Sequence, residues 1–240
     1  MPIKIKDGMT FRERLASIED RIVAACRRAD RERSGIKLMA VSKGHPASAI
    51  CEAFTAGLTL FGENRVQEFD AKRGQLPNDI EVHLIGHLQA NKALKAAGIF
   101  SAIDTVDSLR LLERLDHAAE QTRRRLPVLF EIKLSNEETK TGFAPAGVEL
   151  HQSLERAADL ESIEVRGLMT VAPFDENPET ARACFRRLRI LREELARQHP
   201  RLNLHEVSMG MSGDFEIAIE EGSTLVRIGT ALFGARGVRP

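Results

Sequence analysis

"KLMAVSKGHPASAICEAF" (Lys37 to Phe54) is the stretch whose reading decides the fold. Leu38 to Val41 form an unbroken apolar run, as in a strand buried on both faces; a strand with one wet face would alternate. Gly44 and Pro46 break the run, and a helical pattern opens at Pro46, where proline's fixed φ suits a first helical turn. The stretch is one strand-turn-helix unit. Its oddity is Lys43, because an ammonium at the end of a buried strand is costly to desolvate unless something needs it there.

The same unit recurs along the chain. Apolar runs predict strands at Lys37 to Ser42, Leu58 to Gly62, Glu81 to Gly86, Ala102 to Val106 and Val128 to Leu134. Three more are predicted at Val165 to Val171, Leu204 to Ser208 and Leu225 to Ile228. Helical patterns start near Pro46, Asn64, Leu88, Ser108, Pro145, Pro178 and Ser212. Strands alternating with helices are parallel strands joined by crossovers. Ahead of them, Phe11, Leu15, Ile18, Ile22, Val23 and Cys26 recur at helical spacing. They predict an additional N-terminal helix from Thr10 to Arg33, stopped by Gly35.

About eight such units in 240 residues fit an α/β fold of the (β/α)8 TIM barrel type, taken as a single domain over residues 1–240. An open doubly wound sheet stays possible, because periodicity does not report closure. The glycine fingerprint of dinucleotide-binding folds is missing after the first strand.

Composition narrows the function. Lys plus Arg number 35 against 35 Asp plus Glu, so the net charge is zero, and nucleic acid or an anionic membrane is not the expected partner. No apolar stretch is long enough to span a bilayer. Cys26, Cys51 and Cys184 are odd in number and widely spaced, as buried thiols of a reducing compartment are; a cytoplasmic protein is expected.

In a barrel, active residues sit where strands hand over to their following loops. Lys43 follows the first strand, Asn64 the second and His87 the third. "SMGMSGD" (Ser208 to Asp214) follows the seventh, and "RIGTALFG" (Arg227 to Gly234) spans the eighth and its exit. The last two loops are the common phosphate site of such barrels. There Ser212, placed to cap the helix through Phe215 to Glu220, joins Gly229 and Thr230 at two helix starts whose N–H groups suit a phosphate. Either feature alone reads more readily as an ordinary cap or turn; the two together on adjacent final strands bring the readings nearer even.

An amine opposite a phosphate site points to a phosphorylated carbonyl compound held as an imine on Lys43. The competing readings are a snorkelling side chain or an ion pair with a neighbouring carboxylate such as Glu63. Arg227 could donate to a heteroaromatic nitrogen, as in pyridoxal phosphate sites, or pair with an acid. Asn64 could cap the helix after it, with Gln67 three residues on. His83 and His87 lie on a strand and its exit, so their spacing does not make a helical metal pair. His45, His117, His151, His199 and His205 read as surface or loop positions.

The motifs "AVSKGHP", "FGENRVQEF", "HLIGHLQANK", "ETKTGF", "GLMTVAP" and "SMGMSGDFEIAIEEGSTLVRIGTALFG" run in order from Ala40 to Gly234. With them the chain resembles the YggS/PROSC family of pyridoxal phosphate homeostasis proteins. That resemblance implies an alanine-racemase-like barrel, fold type III among pyridoxal phosphate (PLP) proteins. It further implies pyridoxal 5′-phosphate as cofactor, Lys43 as the imine lysine, Asn64 near the cofactor and Arg227 at the pyridine nitrogen. Ser212, Gly229 and Thr230 would surround the phosphate, with His87 and Met209 also at the site. The chain departs from the family pattern at Gly44 and His45, where a polar residue, often a lysine, follows the imine lysine, and at Val82, where an aromatic precedes His83.

Two functions compete. A racemase needs acid/base groups on both faces of the substrate carbon, and in alanine racemases the second is a tyrosine lent by a partner subunit. This sequence contains no Tyr, so a second copy could not lend one. An arginine at the pyridine nitrogen would also disfavour its protonation and weaken the electron sink. The reading adopted is a monomeric carrier without turnover, taking part in intracellular vitamin B6 homeostasis by buffering PLP or delivering it to apoenzymes; the alternative is a racemase-like enzyme.

Overall fold

Eight parallel strands close into a barrel in chain order: β1 (Lys37–Val41), β2 (Leu60–Glu63), β3 (Glu81–Leu84), β4 (Ala102–Val106), β5 (Leu126–Glu131), β6 (Ile163–Met169), β7 (Glu206–Ser208) and β8 (Leu225–Ile228). The structure is a computed structural model and describes residues 8–135, 137 and 141–234. Glu138 to Lys140 of the "ETKTGF" motif lie outside the described residues. Closure, which the sequence pattern leaves open, is settled by β8 pairing back onto β1, with Lys37 opposite Leu225 and Ala40 opposite Ile228. The open-sheet alternative is thereby excluded.

The helices α1 (Phe11–Arg28), α2 (Ala47–Thr55), α3 (Val66–Lys72), α4 (Ala93–Ile99), α5 (Leu109–Gln121), α6 (Val148–Ala157), α7 (Pro178–Gln198), α8 (Phe215–Glu220) and α9 (Thr230–Phe233) follow the order expected from the pattern. Leu38, Ala40, Phe61, Val82, Leu84, Phe130 and Val226 point outward and join the helices in one buried apolar cluster. The alternate residues point into the barrel. There Gly62 leaves room for its neighbours: a Cβ on it would stand 2.7 Å from Met39 Sδ and 2.9 Å from Ile85 Cδ1, so both side chains would have to shift. Period two carries the inward series up β1 through Met39 and Val41 toward Lys43.

The lower barrel holds polar pairs. Exposed Lys37 Nζ meets buried Glu206 at 2.9 Å at the strand start, and buried His83 Nδ1 meets Asp104 at 3.0 Å. Burial alone would depress the His83 pKa, but Asp104, with help from Glu206 and Glu81, raises it on balance.

The N-terminal helix begins as predicted, with a capping box between Thr10 and Glu13. It ends at Arg28 and not at Arg33. Asp30 takes the left-handed conformation at φ 52° and the Arg31 N–H bonds back to the Cys26 carbonyl, so an Asp ends the helix before Gly35 is reached. Gly35 lies in a separate 3-10 turn, Arg33–Gly35. α1 lies against α8 and α9, and among the described residues no helix is long and apolar enough to cross a membrane.

Candidate functional site

The carboxyl ends of β1, β2, β3, β6, β7 and β8 and the loops after them surround a cavity of about 400 Å³ at the barrel mouth. Lys43, Asn64, Ser212, Arg227, Gly229 and Thr230 line it together, and Val41, Ile85, Val171 and Met211 supply apolar walls. Such a mixture, apolar sides with a few convergent polar groups, is the usual make-up of a small-molecule site.

Lys43 sits half-buried in a tight turn. The His45 N–H donates to the Ser42 carbonyl at 3.1 Å, and Gly44, third of the four residues, has φ 76°. A positive φ at that position is what a type II turn demands, and glycine adopts it without the steric cost of a Cβ. The departure from the family pattern at Gly44 therefore has a local cause. Glu63, offered from sequence as a partner for Lys43, is engaged elsewhere: its Oε1 accepts from Ser42 Oγ at 2.5 Å and meets Lys72 Nζ at 2.7 Å. Burial raises the Glu63 pKa, against the lowering effects of Lys72 and Ser42.

Asn64 is not a helix cap. Arg65 holds the N-cap position of α3 without a side-chain bond, and Asn64 Oδ1 is a buried acceptor with no hydrogen-bond partner. A buried amide oxygen left unmatched inside a cavity is a group awaiting a ligand or water donor. Ser212 also departs from its expected role. It does not cap α8, whose N-cap is Asp214; its Oγ accepts from the Ala231 N–H at 3.3 Å in α9. The bond ties the loop after β7 to the start of α9, bringing Ser212, Gly229 and Thr230 to one wall of the cavity.

Arg227 is buried on β8 and donates to Ser208 Oγ at 2.7 Å and to the Thr170 carbonyl at 2.8 Å. Burial lowers its pKa, while Asp104, Asp214 and Glu131 act in the opposite direction. Guanidinium is so basic that it stays charged. Those two bonds fix the plane of the group at the cavity wall.

Two predicted residues lie apart from the cavity lining. Met209 is fully buried in the outer apolar cluster, as expected of a position one residue beyond inward-facing Ser208. His87 stands on the rim, half-exposed, with Nδ1 3.1 Å from Asp107 Oδ2. Conversely, His45 lines the cavity, its ring 5.0 Å from that of Phe233. Its spacing of two from Lys43 was the available signal. Glu131 was also missed: burial pushes its carboxyl up to about 7, with Asp107 adding and Thr141, Arg227 and His87 subtracting.

The model of the family "Alanine racemase, N-terminal domain" matches residues 14–237. The "Pyridoxal phosphate homeostasis protein" of Aquifex aeolicus is 44% identical over 225 residues, which span 93% of this chain and 97% of that protein. The chain belongs to the pyridoxal phosphate homeostasis protein family. A solved relative is PipY of Synechococcus elongatus, described with PLP bound. It is 42% identical with a TM-score of 0.83, and the match covers 94% of this chain and all (100%) of that one. Alanine racemase of Clostridium difficile, 16% identical, shares the fold with a TM-score of 0.73; the match covers 94% of this chain and 56% of that one. Within the homeostasis family's pattern, the Val82 departure falls in the outer cluster under the helices and not in the cavity.

Proposed function

We propose that this protein binds pyridoxal 5′-phosphate in the barrel-mouth cavity and holds it reversibly as an imine on Lys43. The observation that carries the reading is the convergence on one 400 Å³ cavity of an amine, a fixed guanidinium and the Ser212, Gly229 and Thr230 wall. The relative of 42% identity described with PLP bound supports the same ligand. The residues fit the group. Asn64 brings an unmatched acceptor, Arg227 a donor, and the apolar walls suit the faces of a pyridine ring.

When bound, the cofactor supplies an aldehyde that exchanges between amines. Lys43 would offer the amine with which that aldehyde condenses, water being released on capture and taken up again on release. Arg227, as a donor that stays charged, would disfavour a proton on a ring nitrogen held beside it. Ser212 Oγ and the N–H groups of Gly229 and Thr230 would hold the phosphate, with their loops already fixed by the Ser212–Ala231 bond. Reversible capture without a second acid/base group suits storage and release better than turnover. The chain's lack of Tyr supports that choice over a racemase.

We therefore read the protein as a single-domain cytoplasmic carrier that buffers PLP or yields it to apoenzymes. An absorbance scan tests the assignment. Protein equilibrated with PLP and desalted should show the yellow band of an imine, and Lys43→Ala should lose it. A band that survives in Lys43→Ala removes Lys43 from the role.

A further inference from the structure

Next to the cavity lies a cluster that the capture chemistry leaves unused. Lys72, at the end of α3, is only 7% exposed. A buried ammonium needs compensating charge, and Lys72 finds it in Glu63 Oε1 at 2.7 Å and Glu68 Oε1 at 3.5 Å. Its remaining contacts are with backbone: Nζ donates to the carbonyls of His45 at 3.0 Å and Ser42 at 3.4 Å. Those are the two ends of the turn that presents Lys43. Glu68 returns to the same turn, accepting the Gly44 N–H at 2.5 Å, and Ser42 Oγ donates to Glu63 at 2.5 Å.

The ties from β2 and α3 thus land on residues 42, 44 and 45, on both sides of Lys43. A buried ammonium must match all three of its N–H donors, and the donors that Lys72 does not give to carboxylate go to the two ends of this turn. A turn pinned at both ends holds its central side chain in one direction, and a reacting amine misplaced by an ångström loses rate steeply.

We infer that Lys72 is a positioning residue for Lys43: with Glu63 and Glu68 it locks the Ser42–His45 turn and so sets how fast the protein captures the aldehyde of PLP. The inference rests on the imine reading of Lys43, and the test keeps the two separate. Apo forms of wild type, Lys72→Met and the Glu63→Gln/Lys72→Met double variant are mixed with PLP, and capture is followed by stopped-flow absorbance. Each is also titrated with pyridoxine 5′-phosphate, which carries the phosphate and ring but no aldehyde. Both variants should capture PLP more slowly, by about tenfold or more. Their affinity for pyridoxine 5′-phosphate should stay within about twofold of wild type, since the bonds of Lys72 go to Glu63, Glu68, Ser42 and His45 and none reaches Ser212, Gly229 or Thr230. The double variant removes the carboxylate that Lys72→Met leaves buried and unpaired, so its fold is the safer one on which to read the rate.

Capture at the wild-type rate by either variant overturns the inference. So does an equal loss of both ligands by the double variant, which would mark Lys72 as support for the whole cavity. If instead wild type treated with PLP and borohydride carries no adduct on Lys43, the imine reading itself fails, whatever the variants do.

Discussion

Glu131 closes β5 within reach of Arg227, His87, Asp107 and Thr141, whose Oγ1 donates to its Oε2 at 3.1 Å. Burial raises its pKa from 4.5 to about 7 in the folded chain. Between those two values the folded protein keeps a proton that the unfolded chain has released. Stability must then fall as pH rises through that window, by about 1.4 kcal/mol per unit of difference. From pH 5 to pH 8 the loss from this group is about 2.5 kcal/mol. Glu131→Gln keeps an acceptor for Thr141 and carries no charge, so it lacks the penalty. Urea unfolding of the apo protein at both pH values measures the effect, and the wild-type-minus-variant difference cancels other titrating groups, His83 among them. The variant should gain on wild type by about 2–3 kcal/mol between pH 5 and pH 8, or about 5–10 °C in Tm for a chain of this size. Stability curves that run parallel for the two proteins would refute the reasoning, because a carboxyl with an ordinary pKa would leave them so.

Arg227→Ala should displace the absorption maximum of the PLP-loaded protein, and an unchanged spectrum would count against its contact with the ring nitrogen. The same variant strands Ser208 Oγ and the Thr170 carbonyl, so unfolding should become easier by about 1–3 kcal/mol, readable in urea. Loaded protein incubated with L-alanine in heavy water should give no sustained exchange of the α-proton by NMR, whereas steady exchange would restore the racemase reading.

The fold was legible because inward and outward faces of a parallel strand are both buried, which leaves continuous apolar runs between helical patterns. Closure was not, since a β8–β1 contact joins segments far apart in sequence that carry no joint signal. The end of α1 was misread because glycine is the common left-handed residue, and here Asp30 takes that conformation first. The convergence of Lys43, Asn64, Arg227 and Gly229 on one cavity was legible because each follows or ends a recognisable strand on the inward series. Met209 was misjudged through the same alternation, one residue out of phase. Ser212 lines the cavity but was given the wrong helix, because its bond is to the Ala231 N–H, across two loops. Lys72 offered no signal at all. On α3 it reads as one more polar residue at a helix end, and only the packing shows that it is buried against the Lys43 turn.

Reduction with borohydride, followed by digestion and peptide mass spectrometry, reports directly where the vitamin is attached. Protein loaded with PLP should give a stable pyridoxyl adduct on the peptide bearing Lys43. A recovered peptide with that side chain unmodified, or an adduct on another lysine, would contradict the account.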